Sequence, residues 1–344
     1  MTVPKGLPFE TILTRQDHRL CRAGWSPSRR LVSRRALSGR KVEDPFRIKD
    51  QAAFVSFDMA GKKQLPQLLE TTLLIRGIDV RDADELAFMA RMLVQATLPH
   101  SDPGAVSEFG RTNGSFRLVI QPGAGLGIPY GSYPRLVLAW LTTEAVRTKS
   151  RRLVLGDSLS AFMGEIGLVP TGGRWGTITR LREQMKRLFS ARIAAIYDDQ
   201  DAFRMRSMEV ASDIDLWWSP KRPDQAAIFE SVVVLGERFF KSVVERPVPI
   251  DMRVLKALKR SPLGLDLYTW LTYRVSYMRQ TTAISWTDLH LQFGADYADV
   301  KNFARNCRRE LSKIGLVWPE LRYETPRGRL VLHPTSPHVP KLPR

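Results

Sequence analysis

Apolar side chains recur at helical spacing through residues 299–315, DVKNFARNCRRELSKIG. At about 100° per residue, one narrow sector of a helix collects six of them: Val300, Phe303, Ala304, Cys307, Leu311 and Ile314. The polar residues fall on the opposite side. This spacing predicts an amphipathic helix over residues 296–314, with its apolar face packed into a core.

The polar face of this predicted helix is strongly basic. It holds Lys301, Asn302, Arg305, Asn306, Arg308, Arg309 and Lys313. A solvated helix face usually mixes both charge signs and gains pairs between residues four positions apart, whereas Glu310 is the only acid in this stretch after Asp299. We therefore expect an anionic partner on this face, and a merely solvated surface helix is the alternative.

A similar order of elements is predicted on both sides of residues 245–251. In the C-terminal half, the pattern predicts helices at 262–278, 286–293 and 296–314, and strands at 281–285, 316–324 and 329–332. In the N-terminal half, it predicts helices at 134–148, 158–168 and 177–189, and extended segments at 152–155, 191–197, 203–218 and 228–235. Helix, strand, helix, helix and hairpin is the order of the winged helix-turn-helix.

The predicted fold class is α+β, with two tandem winged-helix (helix-turn-helix) domains and a disordered basic N-terminal arm. We place the arm at residues 1–50, a helical lead-in at 51–115, a first winged-helix domain for dimerisation and DNA at 116–246, and a second, DNA-binding one at 250–337. The lead-in includes a predicted helix at 84–98, which starts with acids and stops before Pro99. The prolines in ERPVPID (245–251) predict a linker between the two domains.

The charge of the chain indicates the kind of partner. Its 344 residues include 53 Lys and Arg against 35 Asp and Glu, a net charge of +18, which favours a polyanionic partner. Nine basic residues lie between Arg15 and Lys41 beside one acid, Asp17, and the Ser, Pro and Gly among them predict a disordered arm. This segment holds +8 of the net charge and leaves +10 for the rest. Its composition also resembles a transit peptide, without a convincing amphipathic repeat.

The cysteine count and the hydropathy of the chain indicate which kinds of site are absent and in which compartment the protein works. Cys21 and Cys307 are the only cysteines, too few for a disulfide framework or a zinc site, and they fit a reducing cytosol. We expect no metal and no cofactor. No stretch approaches the ~18 apolar residues of a membrane span, and the opening MTVPKGLPFETIL lacks a signal-peptide pattern. We predict a protein of the bacterial cytoplasm without a membrane partner.

Two other site types fit the sequence poorly. Gly123, Gly125 and Gly127 do not have the spacing of a dinucleotide-binding loop, and Pro129 would break the helix that has to follow such a loop. A DNA-nicking enzyme needs paired metal-binding histidines and a tyrosine nucleophile. The five histidines include no His-x-His pair: His18, His100, His290, His333 and His338.

A metal-dependent primase is the remaining enzymatic alternative. Asp213 and Asp215 have the spacing that places two carboxylates on one face of a strand, as a two-metal site requires. Alternation of solvent-facing residues before a buried Trp217 explains the same spacing equally well. We predict that the chain is not an enzyme and has no catalytic residues.

Several long strings between about Phe88 and Pro337 resemble the plasmid replication initiator (RepA) family. They are FMARMLVQATLPHS, GIPYGSYPRLVLAWLTTEAVRT, SLSAFMGEIGL followed by TGGRWGTITRLREQMKRLF, SPLGLDLYTWLTYR and ISWTDLHLQFG. The resemblance implies two winged-helix domains that bind iteron repeats of double-stranded DNA at a plasmid origin, promote local duplex opening and recruit the host replicative helicase and initiator proteins. It also implies a monomer–dimer equilibrium and repression of the protein's own promoter. The Arg-rich segment before about Asp44 has no counterpart in the family.

The predicted DNA-binding residues lie on both predicted reading helices and at a hairpin tip. Asn302, Arg305 and Arg309 point away from the apolar stripe and are expected at base edges or adjacent phosphates. Flanking phosphate contacts are expected from Lys301, Arg308 and Lys313. Arg327 and Arg329 at the hairpin tip are expected in a minor groove or on the DNA backbone. The first domain contributes Arg174, Arg180, Lys186 and Arg187.

A sequence-specific transcriptional repressor without an initiator role is the main alternative. Such a protein needs the same fold and the same basic helices. Two different reading helices favour long directional sites over the palindromes that match a symmetric dimer, and this favours the initiator. The iteron sequence, the dimer interface and the identity of the recruited host proteins stay open at this point.

Overall fold

The computed structural model describes residues 65–199, 201–227, 229–294 and 297–339. The predicted disordered arm lies outside the described residues, as does the start of the predicted lead-in. All described residues belong to one compact body. The predicted division into two winged-helix domains at residues 246–250 stays a prediction.

Ten helices and twelve strands are interspersed along the described residues. The helices are α1 (Leu65–Gly77), α2 (Arg91–Gln95), α3 (Ser132–Thr148), α4 (Leu159–Glu165), α5 (Thr177–Ser190), α6 (Glu237–Glu245), α7 (Met252–Leu258), α8 (Pro262–Tyr277), α9 (Trp286–Phe293) and α10 (Val300–Val317). The strands are β1 (Leu86–Ala90), β2 (Phe109–Asn113), β3 (Phe116–Gln121), β4 (Arg152–Val154), β5 (Arg192–Asp198), β6 (Phe203–Glu209), β7 (Ala211–Asp215), β8 (Val232–Leu235), β9 (Pro247–Asp251), β10 (Thr282–Ser285), β11 (Tyr323–Glu324) and β12 (Arg329–Leu332).

The strands of the described residues form four small antiparallel sheets. β1 pairs with β9, and β2, β3, β5 and β6 form a four-stranded sheet in that order. Two three-stranded sheets have the orders β4-β8-β7 and β10-β12-β11. The protein is therefore a mixed α+β fold, as predicted.

The two three-stranded sheets sit in similar surroundings along the chain. In each, the first strand follows a long helix, two more helices come next, and the last strand inserts between the other two. We call the sheet β4-β8-β7 with helices α3, α4 and α5 the first unit, and the sheet β10-β12-β11 with helices α8, α9 and α10 the second unit. β5 and β6 are inserted between α5 and β7, and they extend the sheet that β2 and β3 begin.

The prediction of one helix over residues 84–98 is wrong. The segment forms strand β1 followed by the short helix α2. β1 pairs with β9, in the segment predicted to be a linker, with Phe88 opposite Pro249 and Ala90 opposite Pro247. The two prolines lie two positions apart, so their missing N–H groups face the same side, and a two-stranded sheet tolerates this on its open edge. A short apolar run such as LAFMA fits a buried strand as well as a buried helix, and periodicity does not separate the two.

Three further boundaries differ from the sequence prediction. α10 begins at Val300, not at residue 296, and it continues to Val317 into the predicted strand 316–324, of which only Tyr323–Glu324 is β11. The extended segment 203–218 is two strands, β6 and β7, separated at Val210.

The two amphipathic helices, α5 and α10, lie at the surface of the core. α3 and α8 are buried along most of their lengths, because other elements pack against several of their faces. α5 and α10 bury one face each and keep the other polar face outside. The core therefore supports two surface helices whose outward side chains are free to meet a partner.

Candidate nucleic-acid interface

The first turn of α10 is organised by Asp299, its N-cap residue. The Asp299 carboxylate accepts from the backbone N–H of Asn302 and from its Nδ2, both at 2.7 Å. The hydrogen bond from the Asn302 backbone lowers the pKa of Asp299, which keeps the cap charged. Asn302 Oδ1 in turn accepts from an Arg305 terminal nitrogen at 2.9 Å. This cap explains why the helix begins at Val300.

The apolar face of α10 is buried, as predicted. Phe303, Cys307, Leu311 and Ile314 are inaccessible to solvent, and Ala304 is nearly so. The Phe303 ring meets the rings of His290 and Tyr297 edge to face, with centroids 5.4 and 5.6 Å away. α1 packs against the same helix, and Thr72 Oγ1 donates to the Leu316 carbonyl oxygen at 2.9 Å. These contacts hold α10 firmly in place.

The outward face of α10 displays the predicted basic side chains. Lys301, Arg305 and Arg309 are exposed, and Asn302 and Arg308 are half-buried. The Arg308 guanidinium lies over the Trp286 ring, 5.0 Å from its centroid, which fixes it beside α9. The structure thus brings together five of the six predicted residues of this helix on one accessible surface. We call Lys301, Asn302, Arg305, Arg308 and Arg309 the α10 basic face.

The prediction that Lys313 lies on the solvent side is wrong. Lys313 is 5% exposed, and its Nζ donates to both carboxylate oxygens of Glu310, at 3.0 and 3.1 Å. Glu310 is 1% exposed, and a Cβ on Gly264 in α8 would come within 2.8 Å of its Oε2. The buried face of α10 widens toward its C-terminus because α8 covers it there. Lys313 is therefore not on the α10 basic face.

The hairpin that follows α10 presents the two predicted tip arginines. Arg327 and Arg329 are exposed at the turn between β11 and β12. Gly328 has φ of +85°, a conformation that glycine adopts without strain, and its carbonyl oxygen accepts from the Trp286 backbone N–H at 3.1 Å. The start of α9 therefore anchors this tip.

In the first unit, the apolar face of α5 is buried as predicted. Its buried apolar side chains are Ile178, Leu181, Met185, Leu188 and Phe189. Arg174, Arg180 and Lys186 are exposed around the outward face of this helix. All three are accessible to a partner, although the Arg180 guanidinium also donates to the Trp175 carbonyl oxygen, at 3.0 and 2.7 Å.

Arg187 does not reach the outward face of α5. It pairs with Glu183 at 2.9 Å and with Asp102 at 3.4 Å, and it donates to the Ile128 carbonyl oxygen at 3.3 Å. Its guanidinium also lies over the Tyr130 ring, 5.1 Å from the centroid. Arg187 thus fixes the chain before α3 to α5, and the prediction that it lies on an open surface is wrong.

The carboxylates considered for a metal site are exposed on β7. Asp213 pairs with Val234 and Asp215 with Val232, so both point to one side of the strand. Trp217, predicted to be buried, is 55% exposed, and its neighbour Trp218 is buried instead. In the described part of the chain, no group of three or more His, Cys, Asp or Glu side chains is placed to hold a metal ion. Within the same residues, no helix is both long and apolar enough to cross a membrane.

Trp175 is a candidate functional residue that the sequence analysis missed. It lies in the turn before α5, is largely exposed, and has the Arg174 guanidinium over its ring at 5.2 Å. The signal was a tryptophan outside any apolar periodicity, between two glycines and beside an arginine, in TGGRWG.

Comparisons with known proteins agree with the resemblance in the sequence. Residues 128–288 match the family model described as "Plasmid encoded RepA protein". The match confirms the resemblance over these residues and supports an initiator role. It ends within α9, so α10 and the second hairpin lie beyond it.

Two crystal structures of another protein are similar to this chain over part of its length. One, of RctB domains 2-3, is 15% identical, with 70% of this chain and 94% of that chain covered and a TM-score of 0.45. The other, of selenomethionine derivatives of domain 2 and domain 3 of RctB, is 13% identical, with 68% and 94% covered and a TM-score of 0.45. Among curated protein sequences, none matches this chain.

Proposed function

We propose that this chain, whose residues 128–288 match the plasmid RepA family, is a replication initiator that binds iteron repeats at a plasmid origin. In this proposal it promotes local duplex opening, recruits the host replicative helicase and initiator proteins, and represses its own promoter. The family match supports the initiator role. The observation that carries DNA binding is the α10 basic face, which places four cations and one amide on the accessible side of a helix fixed by a buried apolar face.

Each three-stranded sheet with its three helices is proposed to be a winged-helix domain. The strand orders β4-β8-β7 and β10-β12-β11, together with the helix order, are what such domains have. On this proposal α5 and α10 are the two reading helices, and the β7–β8 and β11–β12 hairpins are the wings. The 18 residues of α10 make a helix of about 27 Å, and a helix with its side chains fits the ~12 Å wide major groove.

The α10 basic face combines the two kinds of group that sequence-specific DNA binding uses. Arg and Asn bond bidentately to guanine and adenine edges, whereas Lys and the remaining Arg neutralise phosphates. Arg305 and Asn302 are already hydrogen-bonded to each other, which limits the conformational freedom that they would lose on binding. We assign them to base edges, and Lys301 and Arg308 to phosphates.

The two proposed reading helices differ in sequence and belong to one compact body. A single chain then presents two different surfaces in a fixed order, which suits a directional repeat better than a palindrome. A repressor without an initiator role remains the second candidate, because it would use the same surfaces.

Footprinting on the DNA that flanks the chain's own gene tests the proposal. We expect protection of several directly repeated sites, each longer than one helical turn, and permanganate reactivity of thymines beside them when the duplex opens. Protection of one palindrome without thymine reactivity would favour the repressor. Absence of any protected site would contradict both.

The remaining parts of the proposal concern chemistry and assembly. We propose that the chain is not an enzyme, that it works in the bacterial cytoplasm without a metal or cofactor, and that it exchanges between monomer and dimer. Magnesium-dependent primer synthesis or strand cleavage by the purified protein would contradict the first point. Sedimentation that gives only monomer across micromolar concentrations, with and without DNA, would contradict the last.

A further inference from the structure

Trp175 is 76% exposed, more than any other large apolar side chain among the described residues. Leaving so much indole surface in water has a cost of roughly 25 cal/mol per Å² relative to burial. A tryptophan is retained in such a position most readily when a partner covers it.

The backbone around Trp175 is fixed by hydrogen bonds. Thr171 and Thr177 each donate a backbone N–H to the hydroxyl of the other, both at 2.9 Å. The Trp175 carbonyl oxygen accepts from Nε and a terminal nitrogen of Arg180, at 3.0 and 2.7 Å. A Cβ on Gly176 would lie 2.2 Å from the Thr171 carbonyl oxygen, so the turn is also tightly closed. The exposure of Trp175 is therefore a built feature of the turn.

The surroundings of the Trp175 ring are cationic. The Arg174 guanidinium lies 5.2 Å from the ring centroid. Residues 169–182 contain three arginines and no acid, and the next acid, Glu183, is paired with Arg187. An aromatic face with a guanidinium against it, in a stretch of chain that carries no acid, suits nucleic acid, in which bases supply the flat surface and phosphates the negative charge.

We propose that Trp175 is a stacking site for an unpaired base, and that the turn at residues 171–176 binds single-stranded DNA. Inside a duplex both faces of a base are covered by its neighbours, so an indole face stacks only on a base that has left the helix or lies in an opened region. The inference rests on the proposed function and deepens it: once the origin has opened, the turn before α5 would hold one strand in place of duplex, while α10 stays on duplex.

Binding of a fluorescein-labelled oligothymidylate, followed by anisotropy at fixed salt, tests the assignment on the full chain. We expect Trp175→Ala to weaken this binding about tenfold, since stacking on one base is lost, and Trp175→Phe to keep most of it. Trp217→Ala is the matched control, because Trp217 is also exposed but follows the exposed carboxylates of β7. The W175A variant should lose much less affinity for origin duplex than for oligothymidylate, because Trp175 stacks only on an unpaired base and α10 still binds duplex.

Three results would overturn the inference. They are a parent chain that does not bind oligothymidylate, a W175A variant that binds it as the parent does, and a loss that is equally large on duplex. If the W175A variant binds oligothymidylate as the parent does, the exposed indole would instead be a contact for a protein partner. Failure of the proposed function itself is distinct, because it would show as an absence of protected sites in the footprint of the parent chain.

Discussion

Arg135 and Asp266 form a buried ion pair that joins α3 to α8. Arg135 Nε donates to one carboxylate oxygen of Asp266 and a terminal nitrogen to the other, both at 2.7 Å. The same guanidinium donates to the carbonyl oxygens of Leu98, Pro99 and Gly131. Since α3 belongs to the first proposed winged helix and α8 to the second, this pair fixes the two units to each other.

Arg135→Ala should be strongly destabilising, because it leaves the Asp266 carboxylate buried without its cation. We expect the free energy of unfolding to fall by ~3–5 kcal/mol, measured by urea denaturation. The double variant Arg135→Met with Asp266→Leu should recover much of the loss, since it removes both charges and keeps apolar volume. A single variant within about 1 kcal/mol of the parent would show that the pair does not hold the units together.

Stability should fall as the pH drops below about 6.5. Burial lowers the pKa of His100 and outweighs its hydrogen bond to Asp266, and burial also lowers the pKa of His338. A histidine whose folded pKa is depressed takes up its proton more readily in the unfolded chain. The contribution of each is therefore fully present above the unfolded pKa and is lost as the pH falls toward the folded one.

Urea denaturation at several pH values between about 7.5 and 5 measures this effect. His100→Gln and His338→Gln should each flatten the dependence. Asp266 does not titrate within this pH range. Burial raises its pKa, but Arg135 and His100 lower it by more, so the pKa is lowered overall. Its contribution to stability therefore persists down to about pH 4. A free energy of unfolding that is constant over this range would contradict the prediction.

Lys313 and Lys301 should give opposite results on the same helix. Lys313→Ala leaves the buried Glu310 carboxylate without its closest cation, so we expect a loss of ~3–5 kcal/mol in stability and an unchanged salt dependence of DNA binding. Lys301→Ala should leave stability within ~0.5 kcal/mol and reduce the slope of log K against log salt by about 0.9, because one fewer counterion is released. Equal salt slopes for the Lys301 variant and the parent would remove Lys301 from the interface.

The apolar rhythm of α10 was sufficient to predict which face is buried. Phe303 and Cys307 lie where the 100° spacing places them. The same rhythm could not predict the fate of Glu310 and Lys313, because their burial depends on α8, whose Gly264 lies far away in the sequence. The sequence of a helix indicates which of its faces is apolar and which is polar. Whether another helix covers part of the polar face depends on the tertiary packing.

Non-local pairing limited the prediction in the same way at β1. The partner of Leu86 is Asp251, and neither segment has a distinctive strand pattern by itself. The exchange of Trp217 and Trp218 has a similar origin, since adjacent tryptophans give no local signal of which one faces the core. The candidate site was predictable where it depended on helix amphipathicity, and less so for Arg187, whose partner Asp102 lies in a distant loop.

The affinity of Arg305→Ala for cognate and random duplex is the decisive test of base recognition by α10. Urea denaturation checks the stability of the variant, and Phe303→Ala is the core control. Phe303→Ala should lose ~3–5 kcal/mol of stability because it leaves a cavity under the helix. Arg305→Ala should fold as the parent does, lose ~1–3 kcal/mol of binding to the cognate site and bind random duplex almost unchanged at the same salt. Equal affinity of the Arg305 variant and the parent for the cognate site would rule out base recognition by Arg305, and α10 would then be a solvated surface helix.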